Sequence, residues 1–344
     1  MIVDLRSDTV TKPTAGMLET MHNAPVGDDV FGEDPSINML EQFAAQLFEK
    51  EAALFCPSGT MTNQIAIKCH TQPAEEVICD KQSHIYQYEG GGIAFNAGCQ
   101  VKLLDGNRGR VTAEQVLQAI NPDDIHKAKS TLVSLENTSN RGGGSCYDLN
   151  DIAAIKQVCD DNNLKLHLDG ARLFNAIVAR REKPSDYGKL FESISVCLSK
   201  GLGAPVGSLL LGKNEFIQKA RRIRKVFGGG MRQAGFLAAA GLYALKNNIN
   251  RLDEDHRHAA YIATVLRNTS FVTTILPVET NIIIFGVDPS LKAKSITDKL
   301  KSKNILAIPV SEHQIRFVFH LDITPAMVDY TAEIIQQLNS TSSS

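Results

Sequence analysis

At 344 residues, the chain is long for one core and fits a large domain plus a smaller one. A formal net charge of −2 gives no general attraction to nucleic acid or to an anionic membrane. The N-terminus carries charges where a signal peptide needs an apolar stretch, and no apolar run approaches the roughly 20 residues of a membrane span.

Taken in chain order, Asp34-Pro35 reads as N-cap and first position of a helix whose Ile37, Leu40, Phe43, Ala44 and Leu47 share a face. Short apolar strands then alternate with helical patterns. Strands are expected at 52–56, 77–79, 101–104, 132–135, 164–168 and 194–198. A further one at 207–211 follows after only a short turn, which suits an antiparallel strand. Helices at 61–69, 113–120 and 149–160 lie between them. This alternation predicts an α/β fold with a mainly parallel sheet and helices on both faces. After about residue 250 the pattern becomes α+β: a helix at 251–267, strands at 271–275 and 281–285, and a helix at 291–303. Strands at 305–308 and 315–319 and a helix opened by Thr324-Pro325 complete it. The expected division is a large domain over 1–250, with an arm at 1–12, and a small domain over 251–339. A disordered tail is expected at 340–344. The boundary near 250 is soft, because a continuous helix would cross it. Seven cysteines without a Cys-x-x-Cys pair favour neither a zinc site nor a disulfide framework and fit a reducing cytosol.

Ligands of open α/β sheets collect at the carboxyl ends of strands, and three motifs stand there. Ser58-Gly59-Thr60 joins a strand to a helix, where free N–H groups and the helix dipole suit a phosphate. Asp169 ends Leu166-His167-Leu168, and Lys200 ends Ile194-Ser195-Val196-Cys197-Leu198-Ser199. Alone, the first is a common turn, Asp169 a turn cap and Lys200 a solvated loop lysine. Together they suit pyridoxal phosphate (PLP), with the amine on its aldehyde and the carboxylate on its pyridinium nitrogen. A dinucleotide reading of Gly201-Leu202-Gly203-Ala204-Pro205-Val206-Gly207 fails on spacing, on its proline and on the strand that follows it.

With these residues in view, the chain resembles the low-specificity L-threonine aldolases, PLP enzymes of the aspartate-aminotransferase-type (type I) fold. The resemblance runs from Asp4-Leu5-Arg6-Ser7-Asp8-Thr9-Val10-Thr11 almost to the last helix. It includes Val26-Gly27-Asp28-Asp29-Val30, His167-Leu168-Asp169-Gly170-Ala171-Arg172, Cys197-Leu198-Ser199-Lys200-Gly201-Leu202-Gly203 and Gly228-Gly229-Gly230-Met231-Arg232-Gln233. It implies that Lys200 forms the Schiff base, Asp169 pairs with the pyridinium and Arg172 faces the phenolic oxygen. Gly59, Thr60 and Ser199 fall where the family holds phosphate, and Arg232 where it reaches the phosphate of an adjacent subunit. His84 matches the ring-stacking histidine, with Tyr88 nearby in the substrate pocket, and His126 a second histidine near the substrate hydroxyl. Arg316 and Ser7 match the carboxylate clamp. Ser139 departs from the family, which usually has histidine there, so substrate preference is the feature this departure touches.

The resemblance implies reversible cleavage of L-threonine and L-allo-threonine to glycine and acetaldehyde, with His84, His126 or a held water as base. It also implies a cytoplasmic homo-oligomer with shared sites, a dimer or tetramer. A related PLP-dependent β-eliminating lyase or racemase, and a PLP-binding protein without turnover, stay open at this point.

Overall fold

The computed structural model describes residues 1–341. Its strands are, in chain order, β1 Val3–Asp4, β2 Ala52–Cys56, β3 Glu76–Asp80, β4 Gln100–Leu104, β5 Ser130–Glu136, β6 Lys165–Gly170 and β7 Ser193–Cys197. They continue with β8 Ser208–Gly212, β9 Val272–Ile275, β10 Ile282–Val287, β11 Ile305–Leu306, β12 Ile308–Ser311 and β13 Gln314–Val318. The large sheet has the order β2-β8-β7-β6-β5-β3-β4. Only β8 runs against its neighbours, as the short turn after Lys200 leads one to expect. Strands β3, β7 and β8 are buried along their whole length, because helices cover both faces.

The helix Pro35–Leu47 starts where Asp34 Oδ1 accepts the N–H groups of Ser36 and Ile37. The other oxygen of Asp34 accepts from Gly235 N at 2.9 Å, tying this start to the helix Gly235–Asn247. A second core lies under the antiparallel sheet β12-β13-β10-β9. No helix crosses residue 250, since Gly235–Asn247 and Leu252–Arg267 are separate. Leu252 packs in the first core and Ala259 in the second.

Three expectations change. The N-terminal arm is shared between the two units: β1 pairs in parallel with β11, and Val3 and Leu5 sit in the second core, whereas Asp8 and Thr11 bond to Arg172 and Lys200 of the large unit. The strand expected at 305–308 is therefore two. Residues 305–306 pair with the arm, and the chain then turns so that β12 pairs with β13. In the tail, residues 340 and 341 continue the final helix Pro325–Thr341, and 342–344 lie outside the described residues.

Candidate functional site

Lys200 stands three residues beyond β7, half-buried, with Nζ 3.5 Å from Cys197 Sγ. Its carbonyl accepts from Thr11 Oγ1 at 3.2 Å and Gly203 N at 2.8 Å, which pins the backbone under the amine. Asp169 lies in β6 beside β7 and is 2% exposed. Its Oδ1 accepts from Ala171 N at 3.2 Å, but Oδ2 is buried with no hydrogen-bond partner. A buried, unpartnered carboxylate oxygen costs folding free energy on the order of 1–3 kcal/mol or more, so this atom is set aside for a donor the chain does not supply. The helix Gly59–His70 opens at the same end of the sheet, with Ser58 as N-cap accepting from Met61 N. The first-turn N–H groups of Gly59 and Thr60 have no acceptor within the helix. Gly59 has to be glycine here, since a Cβ would come within 2.6 Å of Cys197 Sγ. Ser199, half-buried, precedes the lysine.

His84 begins the short helix His84–Gln87. Its backbone N–H donates to Glu136 Oε2 at 2.7 Å, and its Nδ1 meets Glu89 Oε1 at 3.0 Å. Burial lowers the imidazole pKa, yet Glu89 and the charge of Asp169 outweigh it and the net shift is upward. One donor atom each from His84, Glu89 and Asp169 lies within 4.8 Å of the others. Tyr88 tilts against His84 with ring centroids 5.7 Å apart. Burial, reinforced by Asp169, pushes the Glu136 carboxyl up to about 7 although two backbone N–H groups donate to it.

Three arginines differ in how free they are. Arg172 is locked by Asp8, Nε to Oδ2 at 2.8 Å and Nη2 to Oδ1 at 2.6 Å, both side chains buried. Both N–H groups of Nη1 and the second N–H of Nη2 remain for a cofactor oxygen. Arg316 lies within β13 rather than at its start. It donates from Nη1 to Asn140 Oδ1 at 2.7 Å and from Nη2 to the Arg6 carbonyl at 3.0 Å. Its Nε is buried and unpartnered. Burial, with repulsion from Arg172, pushes its pKa down to about 10, as expected of a cation held ready for an anion. Arg232 is exposed and bonds to Asp28 Oδ2 of its own chain at 2.9 Å. Ser7 Oγ accepts from the N–H and hydroxyl of Thr9.

His126 is not brought to this site within the chain. It precedes β5, whereas the site lies where β5, β6 and β7 end, and it is held in solvent by Asp124 with 83% of its side chain exposed. Ser139 is buried, and its Oγ accepts from Gly142 N at 3.2 Å.

Residues 4–289 match the model of the beta-eliminating lyase family. A low specificity L-threonine aldolase of Escherichia coli strain K12 is 44% identical over 326 residues, covering 94% of this chain and 95% of that protein. Low-specificity L-threonine aldolase 1 of Arabidopsis thaliana is 42% identical, covering 97% and 96%. The chain belongs to the beta-eliminating lyase family, among its low-specificity L-threonine aldolases. For the fold, Leishmania major threonine aldolase superposes with a TM-score of 0.86 at 21% identity, covering 98% of this chain and 99% of that one. A Sphingomonas wittichii serine palmitoyltransferase gives 0.77 at 12%, covering 99% and 88%. The architecture is the type I fold of PLP-dependent enzymes, as the alternation of elements and the resemblance together led one to expect.

The residues present fit that cofactor. Asp169 Oδ2 lacks the donor a pyridinium nitrogen would be, Lys200 offers an amine, and Gly59 and Thr60 offer free N–H groups. Sequence reasoning missed Asp8, Glu89, Glu136 and Asn140. Asp8 sits inside an arm motif quoted for its family likeness, but nothing local marks it as the partner of Arg172, 164 residues away. Glu89 lies five residues after His84 and is the one that local spacing offered.

Proposed function

We propose that the chain is a PLP-dependent carbon–carbon lyase that cleaves L-threonine and L-allo-threonine reversibly to glycine and acetaldehyde. The observation that carries this reading is the buried, unpartnered Asp169 Oδ2 in the strand beside the one that leads to Lys200. The whole-length likeness to L-threonine aldolases supports the choice of bond. Bound PLP supplies an aldehyde for the substrate amine and a ring that accepts the electron pair left at Cα when Cα–Cβ breaks. Lys200 Nζ would hold the cofactor through its aldehyde. Asp169 Oδ2 would hold the proton on the ring nitrogen. Arg316, braced by Asn140 and the Arg6 carbonyl, binds the substrate carboxylate with Ser7 and so sets the direction of the Cα–Cβ bond. His84, or a water it holds, takes the β-hydroxyl proton; Tyr88 borders it on the substrate side. Lys200 Nζ would also be the group that returns a proton to Cα.

Incubation of the holoenzyme with L-threonine tests the reading. Glycine and acetaldehyde are the expected products. 2-Oxobutanoate and ammonia as the main products would overturn the aldolase assignment and leave the cofactor assignment standing.

The same reading makes the enzyme a homo-oligomer, a dimer or a tetramer of paired dimers, with Arg232 reaching the partner's phosphate site. Phe95, Val226 and Phe31 are 89%, 82% and 73% exposed. Phe95 and Val226 line one cleft with Ser58 and Thr60, an apolar rim at the phosphate turn of the kind an isologous contact covers. Seven free, buried cysteines among the described residues suit a reducing cytoplasm, and no described helix is long and apolar enough to cross a membrane. Lys200→Ala and Arg232→Ala oligomers should each lose most activity. Co-unfolding and reassembly should restore it, because one site of each hybrid dimer collects both defects and the other collects neither. Inactive hybrids, confirmed by two tags, would place Arg232 in cis.

A further inference from the structure

Glu89 is surrounded by donors. Its side chain is wholly shielded from solvent. Asn63 Nδ2 donates to Oε1 at 2.9 Å, Gln64 Nε2 to Oε2 at 2.6 Å, and His84 Nδ1 meets Oε1 at 3.0 Å. The far end of each amide fixes its orientation. Gln64 Oε1 accepts from Asn96 Nδ2 at 3.2 Å, and Asn63 Oδ1 lies 3.1 Å from His167 Nε2. An amide oxygen only accepts, so His167 carries its proton on Nε2. His167 Nδ1 must then accept from Ser193 Oγ at 2.8 Å, and Ser193 Oγ in turn accepts from His70 Nε2 at 2.8 Å. Burial lowers the pKa of His167 to about 4 and that of His70 to about 3, so both rings are neutral links. Each proton along the path points toward Glu89.

We propose that Glu89 is a positioning residue that locks a proton on Nδ1 of His84 and leaves Nε2 as the single ring nitrogen that exchanges a proton with the substrate. Glu89 already accepts from Asn63 on the same oxygen and from Gln64 on the other, an all-donor surrounding that suits a carboxylate, so the shared proton rests on Nδ1. A ring flip would place Nδ1 elsewhere and strip Glu89 of a charge-assisted bond. The charged and titratable groups facing the ring are Glu89, Asp169, Glu136, Lys200 and Tyr88. The carboxylates favour the cation and Lys200 opposes it. The assignment rests on the aldolase reading only in giving Nε2 a β-hydroxyl to serve.

The test is ring-15N NMR of the holoenzyme labelled with 15N-histidine, the His84 signals being assigned by their loss in His84→Asn. In the wild type Nδ1 stays protonated across the titration and only Nε2 titrates. In Glu89→Gln the amide oxygen keeps the place that accepts from Asn63 Nδ2 and faces His84 Nδ1, so the tautomer is retained while the facing charge is lost. The midpoint of His84 falls by about one to three pH units as the facing charge is removed, and the pH profile of kcat/KM for L-threonine moves the same way. A wild-type ring protonated on Nε2 when neutral overturns the proposal, as does a variant whose His84 midpoint and pH profile match the wild type. Should Glu89→Gln fail to assemble, the wild-type tautomer alone decides. That readout needs no turnover, so a wild type that forms no acetaldehyde removes the aldolase reading and leaves the tautomer assigned to His84 untouched.

Discussion

Lys200→Ala is expected to abolish covalent cofactor attachment and to cut turnover of L-threonine by at least about 10³-fold, since removing a nucleophile on which other groups depend costs up to roughly 10⁶. Nothing else in the site replaces the amine: Arg172 and Arg316 are guanidiniums already bonded to Asp8, Asn140 and a backbone carbonyl. The alanine should be tolerated by the fold, because Nζ makes only a long contact to Cys197 Sγ and the pinning bonds use the Lys200 carbonyl. Borohydride reduction followed by peptide mapping should place the pyridoxyl group on Lys200 in the wild type. Labelling of a different lysine, or an alanine variant with near wild-type kcat, would refute the assignment.

Asp169→Asn should lower kcat about 10²- to 10³-fold while PLP stays bound through Lys200. Breaking a buried charge pair by neutralising one partner costs roughly 3–5 kcal/mol, and the loss falls on the step in which the ring nitrogen must hold its proton. The asparagine can keep the Oδ1 bond to Ala171 N, so the turn survives and the change isolates Oδ2. A variant with unchanged kcat and an unchanged cofactor spectrum would show that Asp169 only caps the turn after β6.

Much of this is legible in the chain itself. The apolar stretches in β2, β5 and β8 announce strands covered on both faces, because burial on two sides favours apolar residues at successive positions. The short turn after Lys200 leaves too little chain for a crossover, so β8 had to run antiparallel. A strand-ending lysine and a strand-ending aspartate implied a shared ligand, because connections in such a fold bring strand ends to one edge.

The tertiary structure decided what depends on residues far apart in sequence. Asp8 occupies Arg172 across 164 residues, and Asn63 meets His167 across 104. The arm joins the second core and splits an expected strand in two. His126 carries a family match but lies at the wrong end of β5 within the chain. Periodicity and strand ends are local, set by which side of a segment water reaches. The direction of a proton from His70 to Glu89 is not, since it depends on which strands lie side by side and which helix crosses above them.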